Sequence, residues 1–443
     1  FKQKTAYEIM PSLVGSEMCI RDSPLSGRYS DPKYDRFTSF CNWANTNYVD
    51  MQIKPPFKLA WIRRYEGSAK HISTFGGGRM YTHTAEGQIF AVEQSTGRFL
   101  WRVYYPGVHI SYTSPVYYKE RLLVPQAGFK KCMLRCLDAS TGKLLWEAPF
   151  AGSPSWNRQV PPIVKSGLVF YSFGTGRYGP FASEEERIPW LFEHQDNPRF
   201  PASHHPIVRA YDLESGKIVW ERDFHFYGSG GDDSSLCFMD GKLFYSCYFG
   251  HSPERRRGRP GARGITAALD PKTGSLIWLT TKYFIHGGCA LSGEKGRLYL
   301  GGYNKIEKGS SLVWCIDTER GSLIWQSEPV SQAIKVVTVT PKFLFTHSQY
   351  EHGYILDKET GKILNRSLTK RYKCTAFTMV GNYLLGSNLD IWDLSDPLQP
   401  KLLWTGPRLD PSECIAAFAS NGCIYYTGQG GGLQACLVGR SAD

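Results

Sequence analysis

One pattern of apolar and polar positions recurs along the chain. An apolar run ends in an acidic or polar residue, a short polar stretch closes on Gly, and a second apolar run ends in Trp. The copies are IFAVEQSTGRFLW to Trp101, LRCLDASTGKLLW to Trp146, VRAYDLESGKIVW to Trp220, TAALDPKTGSLIW to Trp278 and VWCIDTERGSLIW to Trp325. Two copies are degenerate: YILDKETGKILN carries Asn365 in the Trp slot, and IWDLSDPLQPKLLW reaches Trp404 without the Gly. PPFKLAW supplies only the closing run, at Trp61. Apolar runs bounded by turn residues predict two strands joined by a tight hairpin.

Each part of the unit has a physical role. Asp138, Asp212, Asp270, Asp317 and Asp357 sit where a carboxylate can accept from the backbone N–H groups of its own turn. Gly97, Gly142, Gly216, Gly274, Gly321 and Gly361 supply the positive φ that a tight hairpin needs. Alternation predicts that successive residues of LLW and IVW face opposite sides of their strand. The Trp is large enough to wedge between neighbouring units and has an N–H to satisfy at their seam.

A further strand precedes every hairpin: GRMYTH, ERLLVP, SGLVFYSF, GKLFYSCY, GRLYLGG, KFLFTHS, NYLLGS and GCIYYTG, each behind a short inner strand. These eight match eight Trp slots, at 61, 101, 146, 220, 278, 325, 365 and 404. The unit is therefore four short strands and about 48 residues, within the range of a propeller blade. The chain ends on a third strand, LQACLV (Leu433–Val438), and the repeats open on a lone fourth strand at Phe57–Trp61. Paired, the two complete one blade and remove the open edges. The predicted fold is all-β: a single eight-bladed β-propeller of four-stranded antiparallel blades over residues 57–438. A lead-in segment at 24–56 precedes it and a tail at 439–443 follows.

Composition narrows the class. Of the 443 residues, 14% are aromatic and 21% charged, which argues against disorder. No apolar run of about 18 residues is present, so no transmembrane helix is expected. The formal net charge is +12. Residues 2–23 resemble a translated sequencing adapter: EMCIRDS back-translates to GAG ATG TGT ATA AGA GAC AG plus one base, and KQKTAYEI to AAG CAG AAG ACG GCA TAC GAG AT. Residues 1–23 are accordingly set outside the fold, with the true N-terminus expected upstream. Trimming leaves the charge unchanged, because Lys2, Lys4 and Arg21 go together with Glu8, Glu17 and Asp22.

The hairpin repeat resembles the PQQ-like (pyrroloquinoline quinone) β-propeller repeat, found in quinoprotein dehydrogenases and in the outer-membrane assembly lipoprotein BamB. The resemblance spans nearly the whole chain after residue 56. It implies the fold and an exported, for instance periplasmic, location; the repeat itself builds blades and not a site. For a quinoprotein dehydrogenase it further implies PQQ on the propeller axis with Ca²⁺, an Asp base, Glu/Asn/Asp ligands and usually two adjacent cysteines. This chain has no Cys-Cys pair.

Adjacent antiparallel strands place the loop into each inner strand on the same face as the loop between second and third strands, opposite the Gly turns. This mouth face is the expected binding face. The loops into the inner strands fall near Lys70/His71, His109–Tyr112, Trp156–Gln159, Asp232/Asp233, His286, Lys335, Lys373 and Glu413. Trp156 offers a stacking face and Arg158 a bidentate anion grip, with Asn157, Lys335 and Glu413 as further cofactor-binding candidates. Asp232 and Asp233 are the candidate catalytic base or cation ligands. A solvated polar rim without a ligand is the plainer reading of the same residues.

Two inserts break the period, at about Gly174–Pro206 and Gly250–Gly264, both between second and third strands and so on the mouth face. The second carries Arg255, Arg256, Arg257, Arg259 and Arg263, a candidate surface for a protein partner or an anionic ligand. No nucleic-acid reading module accompanies it. CxxC and HExxH spacings are absent, and His204-His205 reads as a surface pair. Cys132 and Cys136 lie about 13 Å apart along one strand, too far for a disulfide. TGQGGG (Thr427–Gly432) leads into a strand and not a helix, so it reads as a propeller turn and not a phosphate cradle.

Two functions are carried forward. The first is a monomeric, non-enzymatic binding scaffold that uses the mouth face and inserts, with no resident cofactor. The second is a PQQ-dependent oxidoreductase of the alcohol or sugar dehydrogenase type, with PQQ and Ca²⁺ near Trp156 and Asp232 or Asp233. The missing Cys-Cys pair and the basic rim favour the first.

Overall fold

The structure is a computed structural model that describes residues 35–53, 55–69, 73–107, 114–127, 132–150, 161–174, 206–227, 234–248, 264–286, 289–303, 310–331, 334–348, 353–368, 377–386, 390–405, 415–428 and 433–439. These residues fold into eight sheets, each built on four antiparallel strands. The one helical turn among them is His225–Tyr227. Sheet 1 consists of Thr74–Gly76, Arg79–His83, Gln88–Glu93 and Phe99–Tyr104. Sheets 2 to 7 repeat this order within residues 116–149, 163–223, 234–280, 292–326, 334–368 and 378–405. Sheet 8 joins Ile415–Ser420, Cys423–Gly428 and Leu433–Gly439 to Phe57–Arg64. The expected partnership of first and last strands is thus present, with Trp61 opposite Cys436 in an antiparallel register.

The hairpins form as their residues dictate. In sheet 2, Gly142 N donates to Asp138 O and Asp138 N to Lys143 O, both at 2.8 Å. Asp138 Oδ1 accepts from the backbone N–H groups of Ser140 and Thr141 at 3.1 and 2.9 Å, and from both hydroxyls. Asp212, Asp270, Asp317 and Asp357 cap their turns in the same way. Hydroxyl and amide donors hold the carboxyls of Asp138, Asp212, Asp270 and Asp357 below their ordinary pKa.

Each Trp joins its own sheet to the next. The indole N–H of Trp61 donates to Gln94 O, that of Trp101 to Ala139 O, and that of Trp146 to Leu213 O. Trp220, Trp278 and Trp325 continue with Pro271 O, Thr318 O and Lys358 O. Asn365, in the degenerate slot, still donates through Nδ2 to Leu398 O at 3.3 Å. Trp404 packs on Phe57 of sheet 8 with ring centroids 5.9 Å apart. The apolar clusters run across these seams, as where Trp220 of sheet 3 meets Leu243 and Ile265 of sheet 4.

One expectation is corrected. Strict alternation would put the residue two before each Trp on the Trp's own face, yet Ile218 is 54% and Val219 49% exposed while Trp220 is buried. A register shift explains this: Trp220 pairs with Ala210 and Ile218 with Tyr211, so Val219 is an extra residue on the outer strand. The same bulge recurs before the Trp slot in all eight sheets. A bulge bends and twists an edge strand, which disfavours pairing with another chain.

The lead-in segment is also more than a leader. Residues 35–53 lie along the inner strands, and Tyr48–Val49 pairs in parallel with Met379 and Val380 of sheet 7. Among the described residues no helix is long and apolar enough to cross a membrane.

Candidate functional site

The strand directions set the two faces. Second strands run from the turn behind the inner strand toward the mouth face, so His83, Gln126 and Tyr248 stand at their mouth ends. One polar assembly there is shared by sheets 1 and 2. Gln126 Nε2 lies 3.1 Å from His83 Nε2 and donates to Gly87 O at 3.2 Å. Arg135 Nη1 donates to Gln126 Oε1 at 2.5 Å and Nε to Glu147 Oε2 at 3.0 Å. The Arg135 guanidinium also stacks 3.9 Å from the Tyr105 ring centroid. Burial lowers the Arg135 pKa, opposed by the Glu147 carboxylate. Sheet 3 repeats the device: Arg209 Nε donates to Glu221 Oε2 at 2.7 Å beside the Phe173 ring. These pairs fasten third to fourth strands near the mouth. The sequence signal, an Arg three residues before the capping Asp and a Glu directly after Trp, is present in both copies, but sequence reasoning did not single it out.

The candidate residues fall unevenly on the described chain. Trp156, Asn157, Arg158, Asp232, Asp233 and Glu413 lie outside the described residues, as do Lys70, His71, Lys373 and the stretch His109–Tyr112. Arg255, Arg256, Arg257, Arg259 and Arg263, the bulk of both inserts and the pair His204-His205 also lie outside them. Lys335 falls within the inner strand Ile334–Val339. His286 stands before the inner strand of sheet 5, where its N–H donates to Gly301 O at 3.0 Å and its ring meets Tyr248 edge-on at 4.8 Å. A groove of about 630 Å³ opens elsewhere, beside Arg63, Arg64, Arg98 and Phe99. It lies at the seam of sheets 8 and 1 on the outer strands, and Arg98 there is paired with Glu93.

Nine described cysteines, Cys132 and Cys136 among them, are buried. Burial pushes the Cys136 and Cys315 thiols up to about 12, so they pack as small apolar groups and hold no thiolate near neutrality.

The family described as Outer membrane protein assembly factor BamB matches residues 57–222 and 262–397, more than half of the chain. The chain belongs to this family. A polyvinylalcohol dehydrogenase from Sphingopyxis sp. (strain 113P3) is 23% identical over 428 aligned positions, covering 71% of this chain and 63% of the relative. The dehydrogenase subunit of an alcohol dehydrogenase (quinone) from Komagataeibacter europaeus is 26% identical over 287 positions, covering 55% of this chain and 37% of the relative. The chain thus spans less than two thirds of the length of either relative. Among solved structures, a quinohemoprotein alcohol dehydrogenase from Comamonas testosteroni superposes with a TM-score of 0.63 at 13% identity, covering 95% of this chain and 83% of that one. That likeness shows the propeller fold of the BamB family.

A quinone held with calcium requires convergent oxygen donors, carboxylates above all. Among the described residues of this family member, no three His, Cys, Asp or Glu side chains converge on a point that would hold a metal ion. The candidate carboxylates Asp232, Asp233 and Glu413 lie outside those residues.

Proposed function

We propose that the chain is an exported, closed eight-bladed propeller that takes a quinone cofactor of the PQQ type on its mouth face and oxidises an alcohol there. The observation that carries this reading is the similarity to two enzymes named as alcohol-oxidising dehydrogenases, reaching 71% of this chain. It reverses the preference drawn from the missing Cys-Cys pair. Closure has its own support: Phe57–Arg64 pairs with Leu433–Gly439, and the seam contacts pass through all eight sheets in order and return from Trp404 to Phe57. Asp232 or Asp233 is the proposed base, with Trp156 as the stacking face and Asn157, Arg158, Lys335 and Glu413 as polar partners.

The test is reconstitution. The protein is incubated with PQQ and Ca²⁺ and assayed for dye reduction with short alcohols, sugars and polyvinyl alcohol. A bound-quinone absorbance and turnover are expected, with turnover lost in Asp232→Ala or Asp233→Ala. Neither quinone binding nor dye reduction under any of these conditions would overturn the reading.

A binding scaffold acting as a monomer is the second reading, favoured by the family's description as an assembly factor. It uses the mouth face and the arginines of residues 250–264 to hold a protein partner or an anionic ligand. A variant lacking residues 250–264 should then lose partners in a pull-down from an extract of its source; capture of the full set would exclude that rim.

A further inference from the structure

Residues 35–53 make a circuit of the inner strands. Arg36 O accepts from Phe75 N of sheet 1 at 2.9 Å, and Phe37 O from Tyr117 N of sheet 2 at 3.0 Å. The Trp43 side chain packs against the clusters on both sides of sheet 3. Trp43 O then accepts from Phe238 N of sheet 4 at 2.7 Å, and Ala44 O from Gly293 N of sheet 5 at 2.9 Å. Thr46 O accepts from Val339 N of sheet 6 at 2.8 Å, and Asn47 O from Met379 N of sheet 7 at 3.2 Å. In sheet 8, Ser420 Oγ accepts from Arg36 N at 3.4 Å, and Gly422 N lies 2.8 Å from Met51 Sδ. Segment order and sheet order are the same.

Side chains tie adjacent sheets across this path. Asn45 Nδ2 donates to Leu236 O at 2.6 Å and Leu291 O at 2.8 Å, bridging sheets 4 and 5. Asn47 Nδ2 donates to Thr338 Oγ1 at 3.0 Å and Phe377 O at 2.9 Å, bridging sheets 6 and 7. Both asparagines adopt φ of 53°, a left-handed conformation that Asn tolerates better than most residues. The buried Arg36 donates through Nη1 to Thr378 Oγ1 at 2.7 Å and through Nη2 to Ser39 O and Asn47 Oδ1.

The placement follows from these partners. The backbone donors belong to inner strands, whose free edges face the axis and need acceptors. They stand at the ends of those strands beside the turns into the second strands, and hence on the Gly-turn face. A stretch from Arg36 to Met51 reaches all eight sheets only by lying across the axis they surround. We propose that residues 35–53 are a plug that seals the axial passage on the Gly-turn face, so that an axial ligand comes and goes through the mouth face alone. The last clause rests on the mouth-face reading of function; the seal does not.

Amide hydrogen exchange of the ligand-free full chain tests the seal. The N–H groups of Phe75, Tyr117, Gly293 and Val339 are expected to exchange at least about a hundred-fold more slowly than in an unstructured peptide, as structural amides do. Cys41, buried within the segment, is expected to resist a water-soluble thiol reagent under native conditions. In Asn45→Ala/Asn47→Ala, protection at Gly293, Val339 and Met379 should fall about ten-fold or more while the ladders of second and third strands keep theirs. Fast exchange at those four amides in the unaltered protein, or prompt labelling of Cys41, would overturn the plug whether or not the double variant folds. A failed cofactor assay leaves these measurements standing. An open passage beside a working cofactor assay overturns the plug alone.

Discussion

At the scale of single residues, the Gly of each turn and the Trp of the preceding sheet constrain one another. Gly274 has a φ of 70°, and a Cβ there would lie 2.5 Å from Trp220 Cε3. Gly97, Gly142, Gly216, Gly321 and Gly361 face Trp61, Trp101, Trp146, Trp278 and Trp325 in the same way. The exception explains itself: the turn that faces Asn365 holds Ser395, Asp396, Pro397 and Leu398 and no Gly. Without the indole, the space restriction is relieved. Gly274→Ala is therefore expected to lower stability by about 2–4 kcal/mol, from left-handed strain plus overpacking, read from denaturant unfolding. The capping carboxylates set a second expectation. Their folded pKa values lie below the ordinary carboxylate value of 3.8, so their contribution is present above that value and is lost as pH falls through the depressed one. Thermal unfolding followed from pH 6 downward should show this acid limb, and Asp270→Asn should flatten it in part. The positive φ and the caps were legible in the sequence, because both are local. The identity of each Gly's neighbour was not, since Trp220 and Gly274 meet only once two sheets have packed.

At the scale of elements, all eight second strands, the hairpins and the Trp strands stand where the apolar pattern puts them. The outer strand was misread because a bulge adds one residue without changing composition. Period-two alternation looks intact in KIVW or KLLW, and only the pairing with the third strand shows the slip. The difference is measurable. Alternation makes Ile218→Lys a core disruption, whereas the bulge leaves Ile218 in solvent. The substitution is expected to change stability by no more than about 0.5 kcal/mol, while Trp220→Ala costs about 3–5 kcal/mol. Thermal unfolding of the two variants side by side decides between the two placements.

At the scale of the whole molecule, the proposed closure of the ring depends on one strand pair that joins chain positions hundreds of residues apart. Lys58 lies opposite Val438 in that pair. Facing Cα atoms in an antiparallel ladder are about 4.5–5.5 Å apart, within disulfide reach. Lys58→Cys/Val438→Cys should cross-link under mild oxidation and raise stability by about 4–5 kcal/mol, the loop it closes being nearly the whole chain. Failure to cross-link in the native protein would count against closure. The sequence by itself determined the repeat, its eight copies, the complementary half-blades at the two ends and the turn chemistry, because each is carried by residues within one unit. Only the tertiary structure decided the bulge, the Gly–Trp seams and the course of residues 35–53. Asn45 and Asn47 sit in FCNWANTNYVD, a stretch with no period to read, and their roles exist only because inner strands of neighbouring sheets come together and leave acceptors and donors there for a passing chain to satisfy.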